Sequence, residues 1–377
     1  MTDGVTLTKL AMQCVHYNPL KRPTMKQVGG RMRKLSIIQN HADLFAFEDA
    51  PTASIFSVSG IVKLMMKKLN FHSNIEMNMR AALAEKIMGK DNVQITKKDF
   101  HFRAPMILSY EDLKRFTDGF SEENFIDIHQ FGRLYHGKVG SQAVTVKTWE
   151  DVDTCTLMDG DNESRLRDEL VLLQHPKFVA HPHIVKLIGY CYEDGRLGAI
   201  YDLKSLDCLV NLIDKDSFGW HCRIGFAVKL AGLLKSLQNS NPPYTPYVLR
   251  NLFPNNILVD KDYNPKLFNF GMLSGGILND KEHTLFRHVH GWMYYTDRYT
   301  NCYDYYTELS DIFSFGMVLL NLITKKIEMD EEGTYHQKAA EPQLISGVHG
   351  CEQCSRDVMT CRDKIVSSGL GLWQFLK

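Results

Sequence analysis

The sequence predicts an α+β fold made of a small β-rich lobe followed by a helical lobe. Short strand-like runs crowd residues 125–205, and after about residue 206 the apolar spacing turns helical. The length of 377 residues suits one bilobal unit or two to three domains. Hydrophobic residues make up 44% of the chain and charged residues 23%, which excludes disorder as the main state. Lys+Arg and Asp+Glu both number 44, so net charge gives no pull toward nucleic acid or an anionic membrane. Asp3 and the lack of a long apolar stretch argue against a signal peptide. The longest apolar helix candidate, 313–323, is too short to span a bilayer. Nine scattered cysteines in a chain of this length fit reduced thiols better than a disulfide framework.

Residues 1–40 read as two short helices. Leu7, Leu10, Ala11, Cys14 and Val15 recur at helical spacing, residues 18–23 break the run, and Thr24 is placed to cap the second helix. Residues 41–105 read as a linker with one helix around 78–88. Ser109-Tyr110-Glu111-Asp112 is a capping-box candidate, followed by Leu113 and Phe116 as an apolar face. Strands are expected at 143–146, 184–188 and 198–201. A helix is expected at 165–174, with Leu166, Leu170 and Leu173 on one side. Ile224, Ala227, Leu230, Leu234 and Leu237 share one face of a longer helix. No internal repeat of solenoid length is present.

Four motifs then follow in order: Ser109-Tyr110-Glu111-Asp112-Leu113 with Phe120-Ser121-Glu122-Glu123-Asn124; His183-Ile184-Val185-Lys186-Leu187-Ile188-Gly189-Tyr190-Cys191; Asn255-Asn256-Ile257-Leu258-Val259-Asp260; and Ser310-Asp311-Ile312-Phe313-Ser314-Phe315-Gly316. In this order and spacing the chain resembles the cytoplasmic kinase domains of plant receptor-like kinases, of the wall-associated-kinase-like kind. The resemblance implies a bilobal protein-kinase-like domain over residues 106–325, with an N-lobe at 106–205 and a C-lobe at 206–325 that is incomplete at its C-terminal end. Residues 10–14 and Arg22-Pro23-Thr24-Met25 match the family's last helices, so residues 1–40 are expected to be a remnant of C-lobe terminal helices. Residues 326–377 are expected to be a divergent, poorly ordered tail. His349, Cys351, Cys354 and Cys361 in that tail are thin support for zinc.

The chemistry departs from the resemblance. Where the family carries a glycine-rich phosphate loop, this chain reads Ile126-Asp127-Ile128-His129-Gln130-Phe131-Gly132, keeping only Gly132 and placing a carboxylate where phosphates would lie. Read alone, the stretch is also an ordinary hairpin turn. Lys147 matches the phosphate-holding lysine and Glu169 its helix partner; the pair either ties helix to sheet or contacts nucleotide. Tyr201 completes the weak nucleotide-binding set of Gly132, Lys147, Glu169 and Tyr201. The catalytic loop reads Leu249-Arg250-Asn251-Leu252-Phe253-Pro254-Asn255-Asn256. Asn251 stands in place of the base aspartate and, as an amide, cannot take a proton at neutral pH. Phe253 replaces the neighbouring lysine. Asn256 and Asn269 form a degenerate metal pair, because Asn269-Phe270-Gly271 replaces Asp-Phe-Gly and Mg²⁺ favours carboxylates.

These departures imply a catalytically inactive pseudokinase. It would act as an adaptor, decoy or allosteric partner of an active kinase or immune receptor in receptor-kinase or defence signalling. The expected location is the cytoplasm, or the plasma-membrane periphery through a partner, with no nucleic acid and no membrane span. The alternative is a weak serine/threonine protein kinase or ATP-binding protein using Lys147 and Glu169. No cofactor is required, and any ATP is expected to bind weakly without Mg²⁺. In residues 290–299 no Pro-Glu is present and Arg298 lies near the glutamate's place. The ion pair that the family makes with an arginine matching Arg22 is therefore expected not to form. The N-terminal helices are either a loose remnant or dock back on the helical lobe, and docking would be mainly apolar, through Leu10, Cys14, Met25 and Val28. The aromatics between 279 and 306 either anchor a partner or pack against the lobe.

Overall fold

The computed structural model describes residues 3–40, 105–150, 161–193, 195–239, 245–278, 295–297, 300 and 306–327. The elements below all belong to one compact unit. The helix expected around 78–88, Arg298 and the cysteine-bearing tail lie outside the described residues.

The β-rich lobe is a six-stranded sheet in the order β1-β5-β6-β4-β3-β2. Its strands are β1 (Met106–Leu108), β2 (Phe125–His129), β3 (Gly132–Val139), β4 (Gln142–Trp149), β5 (Leu187–Glu193) and β6 (Arg196–Tyr201). β2, β3, β4 and β6 pair antiparallel in turn, while β1 adds to the edge of β5 in parallel. The strand expected at 184–188 begins only at Leu187. Ile184 instead makes an isolated bridge to Leu267, which fastens this chain stretch to the helical lobe. Among the described residues, four α-helices precede the hairpin of β2 and β3: α1 (Asp3–Cys14), α2 (Met25–Met32), α3 (Ser36–Asn40) and α4 (Tyr110–Phe116). The capping box expected at Ser109 is present and starts α4, whose Leu113 is fully buried with Tyr135, Val144, Val146, Cys191 and Ile200. α5 (Asp161–Leu173) begins four residues before the expected start at 165 and delivers Glu169 to the sheet. The short α6 (Pro176–Val179) follows.

The chain after residue 206 is not wholly helical. β7 (Ser205–Cys208), β8 (Ile257–Asp260) and β9 (Pro265–Leu267) form a second, three-stranded antiparallel sheet at the base of the cleft. These runs of three or four residues are too short for periodicity to separate from loop. Around them stand α7 (Leu209–Leu212), α8 (Trp220–Gln238) and α9 (Glu308–Thr324). α9 is apolar on nearly all sides and buried along almost its whole length, as expected for a helix at the centre of a lobe.

Residues 3–40 close this lobe. α1 lies along α9, and α2 packs on α8. Gly316 makes the first contact possible: a Cβ there would stand 2.7 Å from the Cys14 Cβ and 2.8 Å from Val15 Cγ1. Leu10, Cys14, Met25 and Val28 are each 2% exposed or less. Thr24 caps α2 in a full capping box. Where two helices were expected there are three, because the Asp3 carboxylate accepts from Ser36 N (2.9 Å) and Ile37 N (2.7 Å) and caps α3.

The expectation of mainly apolar docking without the family's arginine–glutamate pair needs correction, because Arg22 pairs with an aspartate instead. Its Nη1 lies 3.2 Å from Asp297 Oδ2, with both side chains buried. The guanidinium also donates to the carbonyls of His16 and Leu309, each at 2.9 Å, and stacks 5.1 Å from the Phe313 ring centroid. Thr300 Oγ1 donates to Asp297 Oδ2 at 2.8 Å. The aspartate preceding Arg298 thus supplies the negative charge that the sequence reading assigned to no residue. Tyr295 packs inward, its hydroxyl 2.7 Å from Asn321 Oδ1.

Within α2, Gly29 and Gly30 have open space where a Cβ would sit. Glycine in a helix interior costs about 0.5–1 kcal/mol relative to alanine. Replacing both with alanine should stabilise the protein by about 1–2 kcal/mol, read as a higher denaturation midpoint with an unchanged slope.

Candidate functional site

β4 carries Lys147 into the cleft between the sheet and α5. Its Nζ donates to Glu169 Oε2 at 2.7 Å, and both side chains are fully buried. Burial pulls the Lys147 ammonium below its usual range, and the Glu169 charge offsets part of that. The ammonium also donates to Asn269 Oδ1 at 3.2 Å and lies 4.0 Å from the Trp149 ring centroid. Its three N–H groups thus already face a carboxylate, an amide and an aromatic ring. Tyr201 is fully buried and its hydroxyl donates to Glu169 Oε1, 3.5 Å from the Phe268 carbonyl. Burial and the neighbouring Glu169 charge push its phenol well up. Lys147, Glu169, Tyr201 and Asn269 therefore meet in one buried cluster.

Below them three asparagines bond to one another. Asn269 Nδ2 donates to Asn256 Oδ1 at 3.1 Å, Asn256 Nδ2 to the Asn251 carbonyl at 2.9 Å, and Asn251 Nδ2 to the Asn269 carbonyl at 3.4 Å. Asn251 is 2% exposed and the other two 0%. This closed set answers whether the residues fit Mg²⁺. The metal needs hard, preferably anionic oxygens. Here neither oxygen is anionic: Asn256 Oδ1 is taken by Asn269, and Asn269 Oδ1 by Lys147. The residues present do not fit a Mg²⁺–phosphate group. Phe253 is 1% exposed and packs 6.3 Å from the Tyr295 ring, so it supplies shape and no charge.

The hairpin of β2 and β3 roofs the cleft with its own side chains. Gly132 has φ +154°, and a Cβ there would lie 2.1 Å from the Thr148 carbonyl oxygen, so its glycine serves close approach to β4. His129 Nε2 lies 3.0 Å from that same oxygen, and its ring meets Phe268 and Trp149 edge to face at 5.9 and 6.4 Å. Burial, with the Lys147 charge beside it, holds the His129 pKa well below its usual value. Phe131 is 5% exposed under the Arg165 guanidinium, 4.1 Å from its ring centroid. Asp127 turns down to the lower lobe: Asn255 Nδ2 donates to its Oδ2 at 3.2 Å, and Asn211 Nδ2 reaches the Ile126 carbonyl at 3.4 Å. Burial raises the Asp127 pKa to about 6. Strand β2 is in this way tied across the cleft to residue 255.

The sequence reading missed two members of this arrangement. Trp149, two residues past Lys147 on the same strand face, was readable from period two alone. Asp311 lies in a quoted motif without having been given a role. Its carboxylate accepts from Leu249 N at 2.7 Å and Arg250 N at 2.9 Å, holding the loop that carries Asn251, with Arg250 at φ +68°. Burial raises the Asp311 pKa to about 7.

Buried titrating groups set a pH dependence. Burial lowers His175 and His181 to about 4 and His183 to about 3, from 6.5. Each charges in the unfolded chain before it does so in the folded one. Their stabilisation is complete above pH 6.5 and is lost as pH falls through 4. Asp127 and Asp311 act oppositely: folded values of about 6 and 7 against 3.8 make them stabilise most below pH 3.8 and lose that as pH rises through 6–7. The histidines, with His129, outweigh the two acids. The melting midpoint should therefore fall between pH 7 and pH 5, and fall less in a His181→Gln/His183→Gln variant. Thermal melts at the two pH values check both statements.

Comparison with known proteins bears on this geometry. The family model described as protein tyrosine and serine/threonine kinase matches residues 122–362. The chain is 29% identical over 244 residues to probable serine/threonine-protein kinase PBL16 of Arabidopsis thaliana, covering 63% of this chain and 59% of that protein. It is 30% identical over 231 residues to serine/threonine-protein kinase PBS1 of the same plant, covering 59% and 48%. It is 32% identical over 236 residues to an EPD1-interacting receptor-like cytoplasmic serine/threonine-protein kinase of Nicotiana benthamiana, covering 60% and 48%. The matches span about half to three fifths of the length of these relatives. Among the described residues no helix is long and apolar enough to cross a membrane.

Proposed function

Because the chain belongs to the protein tyrosine and serine/threonine kinase family, matched over residues 122–362, we propose that it is a pseudokinase of the plant receptor-like kinase group, acting through its surface as an adaptor, decoy or allosteric partner of an active kinase or immune receptor. The observation that carries this reading is the closed amide set of Asn251, Asn256 and Asn269. On this reading Asn251 and Asn269 stand where the family has a base and a metal carboxylate, and the side-chain oxygens of Asn256 and Asn269 are taken by Asn269 and Lys147. Loss of a general base alone costs about 10²–10⁴ in rate, and the missing metal carboxylate adds to that through a separate effect. The defence context and a cytoplasmic location, direct or beside the plasma membrane through a partner, belong to the same proposal.

A second reading is favoured by one observation, the intact Lys147–Glu169 pair at 2.7 Å. On it the protein is a weak serine/threonine kinase, or binds ATP weakly without Mg²⁺. The purified protein with labelled ATP, Mg²⁺ or Mn²⁺ and a generic substrate separates the two. We expect no incorporation above a Lys147→Met control. Incorporation that this substitution abolishes would overturn the pseudokinase reading.

A further inference from the structure

Charge is unevenly placed in this neutral chain. Residues 1–40 hold seven lysines and arginines against a single acid, Asp3, whereas the whole chain balances 44 against 44. Asp3 is already used as the cap of α3, and Arg22 is sealed against Asp297. Between α1 and α2 runs an open groove of about 250 Å³ lined by Thr6, Lys9, Leu10, Gln13, Arg31 and Lys34. Thr6, Lys9, Leu10 and Gln13 follow one another at helical spacing along a single face of α1. The Arg31 guanidinium donates to Gln13 Oε1 across the groove.

We propose that this groove is a docking surface for an acidic segment of a partner protein, one apolar side chain of which enters the groove while its carboxylates or phosphates face Lys9, Arg31 and Lys34. Complementarity of charge carries the choice of occupant, since Lys9, Arg31 and Lys34 line the groove and no acid does among the described residues. At about 250 Å³ it is smaller than a typical small-molecule pocket of about 300–1,000 Å³. Its concavity favours a side-chain anchor over a flat lipid surface. The inference deepens the adaptor reading but does not depend on the absence of catalysis: its test reads binding alone, so phosphoryl transfer could appear and leave it standing.

The test uses the full chain and a fluorescent twelve-residue peptide of Glu and Asp with one central Leu. Controls are the same peptide with Gln and Asn for its acids, and vesicles containing phosphatidylserine. Fluorescence anisotropy should show binding of the acidic peptide that weakens with salt and is absent for the neutral peptide. Lys9→Glu/Lys34→Glu should weaken it at least tenfold, while Lys21→Glu/Lys26→Glu, with the same charge change outside the groove, should weaken it less than threefold. Melting curves matching the unaltered chain certify that both variants fold. Equal losses in the two variants, or no binding at all, would overturn the proposal. So would vesicle binding that depends on Lys9 and Lys34 while the peptide does not bind.

Discussion

Removing residues 1–40 should leave a helical lobe that no longer melts cooperatively. Leu7, Leu10, Met25, Val28 and Met32 are each at most 2% exposed, and their counterface is α8 and α9. At about 1.5–3 kcal/mol per large apolar side chain fully buried, these five contribute roughly 8–15 kcal/mol as an upper estimate. That equals the whole stability of an ordinary domain, about 5–15 kcal/mol. The truncated chain should also bind a hydrophobic dye, since α9 would present its apolar flank to water. A milder variant isolates the ion pair. Arg22→Met leaves Asp297 buried without its cation and should cost about 3–5 kcal/mol. Adding Asp297→Asn should return part of that loss. A truncated protein with an unchanged melting curve would show that the helices are a loose appendage.

Restoring the two missing carboxylates should make the protein less stable without making it a kinase. In Asn269→Asp the Nδ2 donor that serves Asn256 Oδ1 disappears and an oxygen takes its place, so two acceptors face each other. Asn251→Asp repeats this against the Asn269 carbonyl. Each buried acceptor left without a donor costs about 1–3 kcal/mol, so the double variant should lose roughly 2–6 kcal/mol, less whatever Lys147 recovers by facing a new charge. Phosphoryl transfer should stay at background. Phe253 still brings no cation, and His129, Phe131 and Trp149, each at most 5% exposed, still fill the roof. Melting curves with and without Mg²⁺, beside a labelled-ATP assay, check both halves. A stabilisation that requires Mg²⁺, accompanied by incorporation, would refute the argument.

Much of the architecture was legible in the chain because it rests on local rules. The capping boxes at Thr24 and Ser109, the strand around 143–146 and the helices beginning near 165 and 224 follow from spacing and side-chain chemistry within a few residues. The pairing of Lys147 with Glu169 is what the resemblance implies. What escaped depends on contacts between distant segments. The resemblance pairs Asn256 with Asn269 and reads Asn251 and Asn269 as lost carboxylates, but no spacing rule shows that the three hydrogen-bond to one another. The partner of Arg22 is Asp297, which local patterning cannot assign because the two lie in distant segments of the chain. The turn of Asp127 toward Asn255 was hidden for the same reason: the two are 128 residues apart.

The placement of the base-closing helices ahead of α8 and α9 in the sequence has a consequence for biosynthesis. Arg22 meets the carbonyl of Leu309 across 287 residues. At about 5–20 residues per second, a ribosome needs roughly 15–60 s to extend the chain from one to the other. Throughout that interval the apolar flank of α1 has no native surface to lie on. During translation α1 is therefore a natural client for chaperones, and it can dock only after α9 has been made.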